Sequence, residues 1–200
     1  MIALAIAGSY LLGSVSFAVL VSRVLHQADP RSYGSGNPGA TNVLRGGSRV
    51  AALLTLVGDA AKGAAAVWLG SQVDDGGLVA IACGAAAFAG HVFPLFLRFR
   101  GGKGVATFLG VLLAFQPWVG LACCAIWLGV AAASRYSSLA SLSAAIAAPV
   151  LLGLVDEQRA VLGVVLAMTA LMVWRHRANI AKLRAGTEAR IGATQAAPPK

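Results

Sequence analysis

Long apolar stretches separated by short polar connections dominate the pattern of residues along this chain. Seven stretches run over approximately residues 2–22, 50–70, 78–97, 105–116, 118–133, 139–155 and 160–174. A helix needs about 20 apolar residues to cross the hydrocarbon core of a bilayer. The stretches are continuous in Ala, Leu, Val and Gly, whereas a membrane barrel would alternate polar and apolar residues. The pattern therefore predicts an all-α integral membrane protein with about seven transmembrane helices.

The fourth and fifth stretches are short and meet at Gln116-Pro117-Trp118. Two tilted spans and one broken, re-entrant element both fit this pattern, which gives a range of five to seven spans. We expect residues 1–200 to form a single polytopic domain. The final residues, 190–200, are predicted to be a flexible basic C-terminal tail.

Composition supports a membrane protein. Hydrophobic residues make up 58% of the chain and charged residues only 12%, and the mean hydropathy is +0.77. The net charge is +9, but the basic residues lie in short clusters between apolar runs. That placement is typical of cytoplasmic loops, so we expect membrane lipids rather than nucleic acid as partners.

The distribution of Lys and Arg predicts the orientation. Basic connections, beginning with the one over residues 23–49, alternate with connections such as 71–77 that lack Lys and Arg. The positive-inside rule then places the N-terminus outside and the C-terminus in the cytoplasm. Three segments rich in polar residues and glycine, 33–45, 90–107 and 175–188, all fall on the inner side. Polar groups on one face favour an interfacial enzyme over a transporter, which needs polar groups at mid-depth; a non-catalytic scaffold is a further alternative.

The first polar segment contains Gly34-x-Gly36-x-x-Gly39. This is the spacing of a dinucleotide-binding fingerprint, but it follows an apolar span instead of a strand. A phosphate-binding P-loop would need Lys where Ala40 stands. Both motifs share a glycine-rich backbone whose N–H groups can surround an anion. The segment adds neutral donors and one guanidinium, from Ser35, Asn37, Thr41, Asn42 and Arg45. A turn that caps the next helix is the alternative.

The second polar segment contains a glycine-rich turn with one cation, formed by Gly101, Gly102, Lys103 and Gly104, and followed by Thr107. It predicts a second anion site at a helix N-terminus, or alternatively an ordinary positive-inside loop. His91 opens this segment and is either a general base or an orienting residue. Asp59 and Lys62 lie three residues apart within an apolar span, where they predict either an ion pair or a direct role.

The third polar segment supplies a histidine, an asparagine, a lysine, a glycine and a glutamate, at His176, Asn179, Lys182, Gly186 and Glu188. The spacing puts Asn179 and Lys182 on one helical face. Binding of an anionic substrate and a basic interfacial helix are both consistent with this pattern. His176, within "RHR", is interpreted as a candidate ligand contact or a cation at headgroup level.

These motifs, in this order, resemble the bacterial acyl-phosphate:glycerol-3-phosphate acyltransferase family. The resemblance rests on "GSGNPGATNVLR", "GDAAKG", "GHVFPLFLRFRGGKGVAT" and "NIAKLRAGTE". One position departs from the family pattern, because Lys182 stands where an Arg is usual. A bidentate phosphate contact there would become a point charge.

The resemblance implies an enzyme of the bacterial inner membrane with its active site on the cytoplasmic side. It implies transfer of an acyl chain from acyl phosphate to the 1-hydroxyl of glycerol 3-phosphate, giving lysophosphatidic acid and phosphate in phospholipid biosynthesis. We expect no cofactor, no metal and a monomer. The candidate catalytic residues are Ser35, His91, Lys103 and Arg45, and the other residues named above, including Lys62, are candidates for substrate binding.

A direct attack of the glycerol hydroxyl on the acyl carbonyl is the expected mechanism, because phosphate is already a good leaving group. No cysteine lies in a polar motif, which argues against a thiol nucleophile. Ser35 is interpreted as a phosphate ligand rather than a nucleophile, since no dedicated base is visible beside it. The proton acceptor is left open between His91 and a substrate phosphate.

Overall fold

The computed structural model describes residues 1–155 and 158–192. Within these residues the chain forms ten α-helices and one short 3₁₀ turn at Leu95–Leu97. The helices are α1 (Ile2–Ser14), α2 (Phe17–Val24), α3 (Ala40–Arg45), α4 (Arg49–Ser71), α5 (Leu78–Val92), α6 (Val105–Phe115), α7 (Pro117–Ser134), α8 (Ser137–Gly153), α9 (Arg159–Arg175) and α10 (Arg177–Arg184). All seven predicted apolar stretches are therefore helical, and the first of them is divided into α1 and α2.

Not every apolar helix is long enough to cross a bilayer. Three segments pass by length and composition: α4, the stretch Leu78–Leu97 that includes α5, and α7. Two bent pairs raise the count to five in the described part of the chain, namely α1 with α2 at 46° and α9 with α10 at 56°. The helices α6 and α8 are apolar but shorter. The number of spans judged by length is thus three to five in the described residues, and only its upper value reaches the predicted range of five to seven.

The first apolar stretch does not form one straight span. Helix α1 ends at Ser14, and Val15 and Ser16 adopt extended conformations before α2 begins. The break leaves the Val15 carbonyl outside the helical hydrogen-bond pattern. Lys62, at the middle of α4, donates to this carbonyl at 2.8 Å. A lysine buried in an apolar helix thereby stabilises a break in another helix.

The junction at Gln116-Pro117 joins two separate helices. Helix α6 ends at Phe115, and Pro117 occupies the first turn of α7, where its missing N–H is not needed. Helix α6 packs against both α7 and α4. Its 11 residues extend about 16 Å, which is roughly half the hydrocarbon thickness. Helix α6 therefore lines the interior of the bundle without crossing the membrane alone.

A hydrophobic core formed by α4 to α9 holds the helices together. Phe88 of α5 and Phe108 of α6 make an edge-to-face contact with ring centroids 6.0 Å apart. Large apolar side chains on the outer surfaces, such as Leu53 and Leu128, remain exposed. An apolar exterior around a packed core is the arrangement expected when lipid is the solvent.

The polar segments lie near the ends of these helices. Residues 33–39 lead into α3, residues 98–104 lead into α6, and α10 follows a bend at His176. The predicted tail at 190–200 falls mostly outside the described residues, since 193–200 are not described. Residues Arg190 and Ile191 contact Tyr136 and Arg135, respectively.

Candidate active site

The three polar segments meet around one cavity of about 370 Å³. The first segment contributes residues from the loop before α3 and from α3 itself. The second contributes His91, Lys103 and Gly104, and the third contributes His176, Asn179 and Glu188. Three segments that are far apart in sequence are thus brought to one place, as expected if they form a single site.

Asn42 fixes the shape of the first loop. Its side chain is buried, and its amide oxygen accepts a hydrogen bond of 3.0 Å from the Ser35 backbone. Its amide nitrogen donates to the carbonyls of Pro30 at 2.6 Å and Tyr33 at 3.2 Å. Both N–H donors of this amide, and one acceptor position of its oxygen, are therefore used within the loop. Asn42 also borders the cavity, and its hydrogen bonds organise the loop.

The backbone of the first loop does not form the expected ring of free N–H groups. The amide of Ser35 is bonded to Asn42, that of Gly36 to the Tyr33 carbonyl at 2.9 Å, and that of Gly39 to the Asn37 carbonyl at 2.9 Å. Left-handed torsions at Gly34 and Gly36, with φ of 59° and 65°, make this tight turn possible. The side-chain donors that border the cavity are those of Ser35, Asn37, Thr41 and Arg45.

The second loop is held by close backbone packing against His91. The Gly102 amide donates to the His91 carbonyl at 3.1 Å. A Cβ atom at Gly101 would collide with that carbonyl, and one at Gly102 would collide with the His91 ring nitrogen Nε2. Gly101 and Gly102 are therefore needed for packing. They were predicted to bind substrate, but they do not line the cavity. Their role is to aim the next residue, Lys103, at the site.

Arg175 secures the same loop from the other side, a role that the sequence did not reveal. Its guanidinium donates to the carbonyls of Gly101 at 2.9 Å and Gly102 at 3.3 Å. The guanidinium also lies 6.0 Å from the centroid of the Phe93 ring. Arg175 belongs to a basic cluster at the end of a span, where any arginine is expected from the positive-inside rule, so its specific role carries no separate signal.

A chain of hydrogen bonds links the second and third segments. Lys103 Nζ donates to Asn179 Oδ1 at 2.6 Å, and Asn179 Nδ2 donates to Glu188 Oε1 at 2.7 Å. Ser138 of α8 donates to the same carboxylate oxygen, also at 2.7 Å. The amide of Asn179 therefore separates a cation from an anion. Such a network holds the Lys103 ammonium at a defined point on the cavity wall.

Lys103 lies in a region where several charges converge. Burial lowers the pKa of its ammonium to about 8, the negative charge of Glu188 opposes that shift, and Arg45, Arg175 and Lys182 reinforce it. A lysine in this state is a cation at neutral pH and exchanges its proton in the mildly alkaline range. An anionic ligand beside it would restore the ordinary, higher pKa.

His91 belongs to a buried ionic cluster with Asp59 and Lys62. Lys62 Nζ lies 2.8 Å from an Asp59 carboxylate oxygen and 3.0 Å from His91 Nδ1. His91 Nδ1 is 3.4 Å from the same carboxylate oxygen. Asp59 and His91 border the cavity, whereas Lys62 does not. Of the two interpretations of Asp59 and Lys62, the structure supports the ion pair.

His176 is a buried residue rather than a cation at headgroup level. Only 2% of its surface is exposed, and it lies at the bend between α9 and α10. Its Nδ1 lies 2.8 Å from the Met172 carbonyl, and the residue borders the cavity. The interpretation as a simple interfacial charge is therefore wrong, while its position at the site agrees with the expectation of a ligand contact.

Several predicted binding residues lie away from the cavity. Thr107 is fully buried, with no hydrogen-bond partner for its hydroxyl among the described residues. Lys182 is exposed on α10. The predicted residues that do not line the cavity are Gly34, Gly36, Lys62, Gly101, Gly102, Thr107, Lys182 and Gly186. Those that line it are Ser35, Asn37, Gly39, Thr41, Asn42, Arg45, His91, Lys103, Gly104, His176, Asn179 and Glu188.

The start of α8 supplies a polar wall that the sequence reasoning missed. Ser137, Ser138 and Ser141 border the cavity. The Ser137 hydroxyl lies 3.0 Å from that of Thr41, and the Ser141 hydroxyl accepts a hydrogen bond of 3.1 Å from the indole of Trp127. A usable signal was present, because these serines follow the basic residue Arg135 in the first turns of a largely apolar helix.

The remaining wall of the cavity is apolar. It is formed by side chains from α4, α6 and α7: Leu56, Ala60, Val105, Leu109, Leu113, Cys124, Trp127 and Leu128. Val105 and Leu113 are eight residues apart on α6, which corresponds to about 12 Å along its axis. The cavity thus joins a polar, basic end to an apolar groove. This shape accommodates a ligand that carries both an anionic head and a hydrocarbon chain.

Comparison with known proteins agrees with this geometry. The family model described as glycerol-3-phosphate acyltransferase matches residues 3–186. A protein named glycerol-3-phosphate acyltransferase from Burkholderia thailandensis is 58% identical over 196 residues, with 96% of each chain covered. A protein of the same name from Ralstonia pickettii is 55% identical over 190 residues, covering 92% of this chain and 91% of the relative.

Two solved structures share the fold. Both are of PlsY (YgiH), an integral membrane glycerol 3-phosphate acyltransferase. The glycerol 3-phosphate form is 38% identical with a TM-score of 0.90, and the lysophosphatidic acid form is 37% identical with a TM-score of 0.88. In each comparison 96% of both chains is covered. The all-helical arrangement is therefore that of an integral membrane protein.

Proposed function

The chain belongs to the glycerol-3-phosphate acyltransferase family, and we propose that acyl phosphate is its acyl donor. The reaction moves the acyl chain to the 1-hydroxyl of glycerol 3-phosphate and gives lysophosphatidic acid and phosphate. The observation that carries this proposal is the cavity itself, in which a basic polar end meets an apolar groove. Both substrates carry phosphate, and one carries a long hydrocarbon chain.

The polar end is suited to two phosphate groups. Lys103 and Arg45 supply positive charge, while Ser35, Asn37 and Thr41 supply neutral donors on the same wall. One Arg45 nitrogen donates to the Ala189 carbonyl at 3.3 Å, which leaves the rest of the planar guanidinium for a phosphate. His176 and the α8 serines complete the polar wall. We assign substrate binding to these cavity-lining groups and give Lys62 and Thr107 structural roles.

The apolar groove is suited to the acyl chain. Helix α6 provides one side through Val105, Leu109 and Leu113, and α7 provides the other through Trp127 and Leu128. Leu128 is exposed on the outer surface, so the groove can continue into the surrounding lipid. The chain would lie between helices while its phosphate reaches the polar end.

The chemical step is a direct acyl transfer. The oxygen of the glycerol 1-hydroxyl attacks the acyl carbonyl carbon, the bond from that carbon to the phosphate oxygen breaks, and phosphate leaves. The proton of the hydroxyl passes to a substrate phosphate oxygen. No acyl-enzyme is needed, because the leaving group is already good. The enzyme contributes positioning and electrostatic stabilisation by Lys103, Arg45 and Ser35.

His91 is assigned an orienting role rather than that of general base. A lysine ammonium only donates hydrogen bonds, so the Nδ1 atom that faces Lys62 at 3.0 Å accepts. The proton of neutral His91 is then on Nε2, which packs against Gly102. Neither nitrogen is left with a free lone pair toward a substrate. His91 instead connects the buried Asp59–Lys62 pair to the loop that presents Lys103.

We place the enzyme in the bacterial inner membrane as a monomer, with the N-terminus outside and the site facing the cytoplasm. The coincidence of the basic loops with the cavity-lining segments supports the orientation in this proposal. No cofactor or metal enters this scheme. All four reacting groups, namely hydroxyl, carbonyl and two phosphates, belong to the substrates.

A phosphate-release assay with the purified chain tests the proposed donor. Palmitoyl phosphate and glycerol 3-phosphate together should release phosphate and form lysophosphatidic acid. The thioester donors palmitoyl-CoA and palmitoyl-acyl carrier protein should give no product under the same conditions. Transfer from either thioester in the absence of acyl phosphate would contradict the proposal while leaving the family assignment intact.

A further inference from the structure

The last described residues form a strap over the site. We define the C-terminal strap as residues 188–192. Glu188 borders the main cavity, while Ile191 and Gly192 border a neighbouring cavity of about 300 Å³ that also contacts Thr41 and Arg45. The position of this strap therefore affects the polar end of the site directly.

Arg135 clamps the far end of the strap. It lies at the end of α7 with a left-handed φ of 62°. Its carbonyl accepts a hydrogen bond of 2.7 Å from the Ile191 amide, and its guanidinium donates to the Ile191 carbonyl at 3.2 Å. One arginine thus holds both polar backbone groups of one strap residue. The neighbouring Tyr136 ring lies 5.7 Å below the guanidinium of Arg190.

At the near end of the strap, Arg45 donates to the Ala189 carbonyl at 3.3 Å, and the Thr187 amide before it donates to the Lys182 carbonyl at 2.9 Å. Residues 185–187, which connect α10 to the strap, are exposed, and Gly186 has a left-handed φ of 69°. Glu188 nevertheless makes two hydrogen bonds of 2.7 Å, with Asn179 and Ser138. A carboxylate carried by an exposed, glycine-containing connection needs a fixed point downstream to stay in place.

We propose that Arg135 is a positioning residue for acyl transfer. By holding Ile191 it keeps Glu188 against Asn179, and Asn179 in turn holds the Lys103 ammonium at the cavity wall. The inference rests on the proposed function of this cavity. Arg135 does not line the cavity, so its effect is transmitted through the strap.

The pH dependence of transfer distinguishes this positioning role from a purely structural one, because the charges around Lys103 determine the pH at which it loses its proton. Glu188 is the anionic group that faces Lys103, and the cations that face it in the described chain are Arg45, Arg175 and Lys182; His176 also lies within electrostatic range. Releasing the strap removes the anion and leaves the cations. The proton of Lys103 is then lost at lower pH. Removal of the positive charge of Arg135 alone, without release of the strap, would instead favour the protonated form of Lys103 and move this loss to higher pH.

The experiment compares Arg135→Gly with Arg98→Gly in the full-length, detergent-purified enzyme. Glycine tolerates the left-handed torsion at both positions, since Arg98 has φ 52° and is likewise exposed. Both variants lose one arginine and one charge. For Arg135→Gly we expect kcat/KM for glycerol 3-phosphate to fall roughly tenfold, as for loss of one charge-assisted hydrogen bond. The alkaline limb of its pH profile, where kcat/KM falls as the pH rises, should move to lower pH. Arg98→Gly should match the natural chain in both respects.

A second variant covers the case in which Arg135→Gly does not fold. Ile191→Pro removes the strap amide that donates to Arg135 and keeps every charge, so the alkaline limb should again move to lower pH. Adding Glu188→Gln to either variant should cause no further movement. An unshifted limb in a folded variant of a transfer-competent enzyme overturns the positioning role. Absence of transfer in the natural chain overturns instead the proposed function on which it rests.

Discussion

Lys103 donates a hydrogen bond of 2.6 Å to the side-chain oxygen of Asn179, 76 residues further along the chain. This contact joins the glycine-rich turn before α6 to the helix that follows α9. It also gives a buried cation a fixed direction toward the cavity. The catalytic consequences of that arrangement can be measured.

The first prediction concerns pH. Burial lowers the pKa of Lys103 to about 8, so its cationic form is present below that pH and is lost above it. If phosphate binding needs the cation, kcat/KM in the free enzyme should fall as pH rises through about 8. Lys103→Arg should move this fall to higher pH, because a guanidinium keeps its proton. If kcat/KM fell over the same pH range in both enzymes, the fall would be due to a group other than Lys103.

The second prediction separates a phosphate ligand from a nucleophile at Ser35. Ser35→Ala should retain measurable transfer, reduced roughly ten- to two-hundredfold by loss of about 1.5–3 kcal/mol from one hydrogen bond to a charged group. Incubation of the natural enzyme with labelled palmitoyl phosphate alone should leave no label on the protein. A stoichiometric acyl-enzyme that passes its chain to glycerol 3-phosphate would rule out direct attack.

The third prediction tests the serine wall of α8. Ser138→Ala removes one of two donors to the Glu188 carboxylate, and transfer should drop roughly tenfold. Ser143→Ala, on the same helix but off the cavity, is the control and should match the natural enzyme. Initial rates at saturating palmitoyl phosphate measure the difference. Equal rates in the two variants would show that Glu188 does not depend on Ser138.

The fourth prediction concerns stability. Lys62→Met leaves Asp59 without its ammonium partner and Val15 without its donor. Removal of one member of a buried ion pair costs about 3–5 kcal/mol, so the thermal unfolding temperature in detergent should fall clearly. Adding Asp59→Asn removes the stranded charge and should recover part of the loss. A single variant as stable as the natural chain would contradict the structural role assigned to Lys62.

The fifth prediction concerns the groove. Leu109→Trp adds bulk to the apolar wall, and we expect its misfit with a bound acyl chain to cost about 1–3 kcal/mol, as overpacking does in a protein core. Transfer from palmitoyl phosphate should therefore fall by roughly five- to hundredfold, with transfer from acetyl phosphate nearly unchanged. Leu53→Trp places the same bulk on the exposed face of α4 and serves as the control. Equal losses with both donors would mean that the chain lies elsewhere.

The sequence predicted the apolar helices well because each lies within a long apolar run. The second stretch, predicted at 50–70, is observed as Arg49–Ser71. The sequence could not, however, predict the break in the first stretch after Ser14. That break depends on a hydrogen bond from Lys62, which lies 47 residues away, and no local residue pattern encodes such a partner.

Part of the candidate site could also be predicted from the sequence, because polar residues are conspicuous in an apolar chain. Residues such as Lys103, Asn179 and Glu188 stood out because polar groups are rare in this chain, and the structure brings them together. The serines of α8 were missed, since hydroxyls in an apolar helix often bond to their own backbone. The first loop differed from expectation because its glycines shape a turn that uses its own amides.

The break between α1 and α2 also constrains the order in which the chain can be completed in the membrane. Val15 is synthesised well before Lys62, so its carbonyl has no lysine partner while α4 is still absent. An unsatisfied carbonyl is costly in lipid. We therefore expect the N-terminal helices to remain near the water interface, or to stay unkinked, until α4 has inserted. Insertion of α4 is the event that allows the first span to take its final bent form.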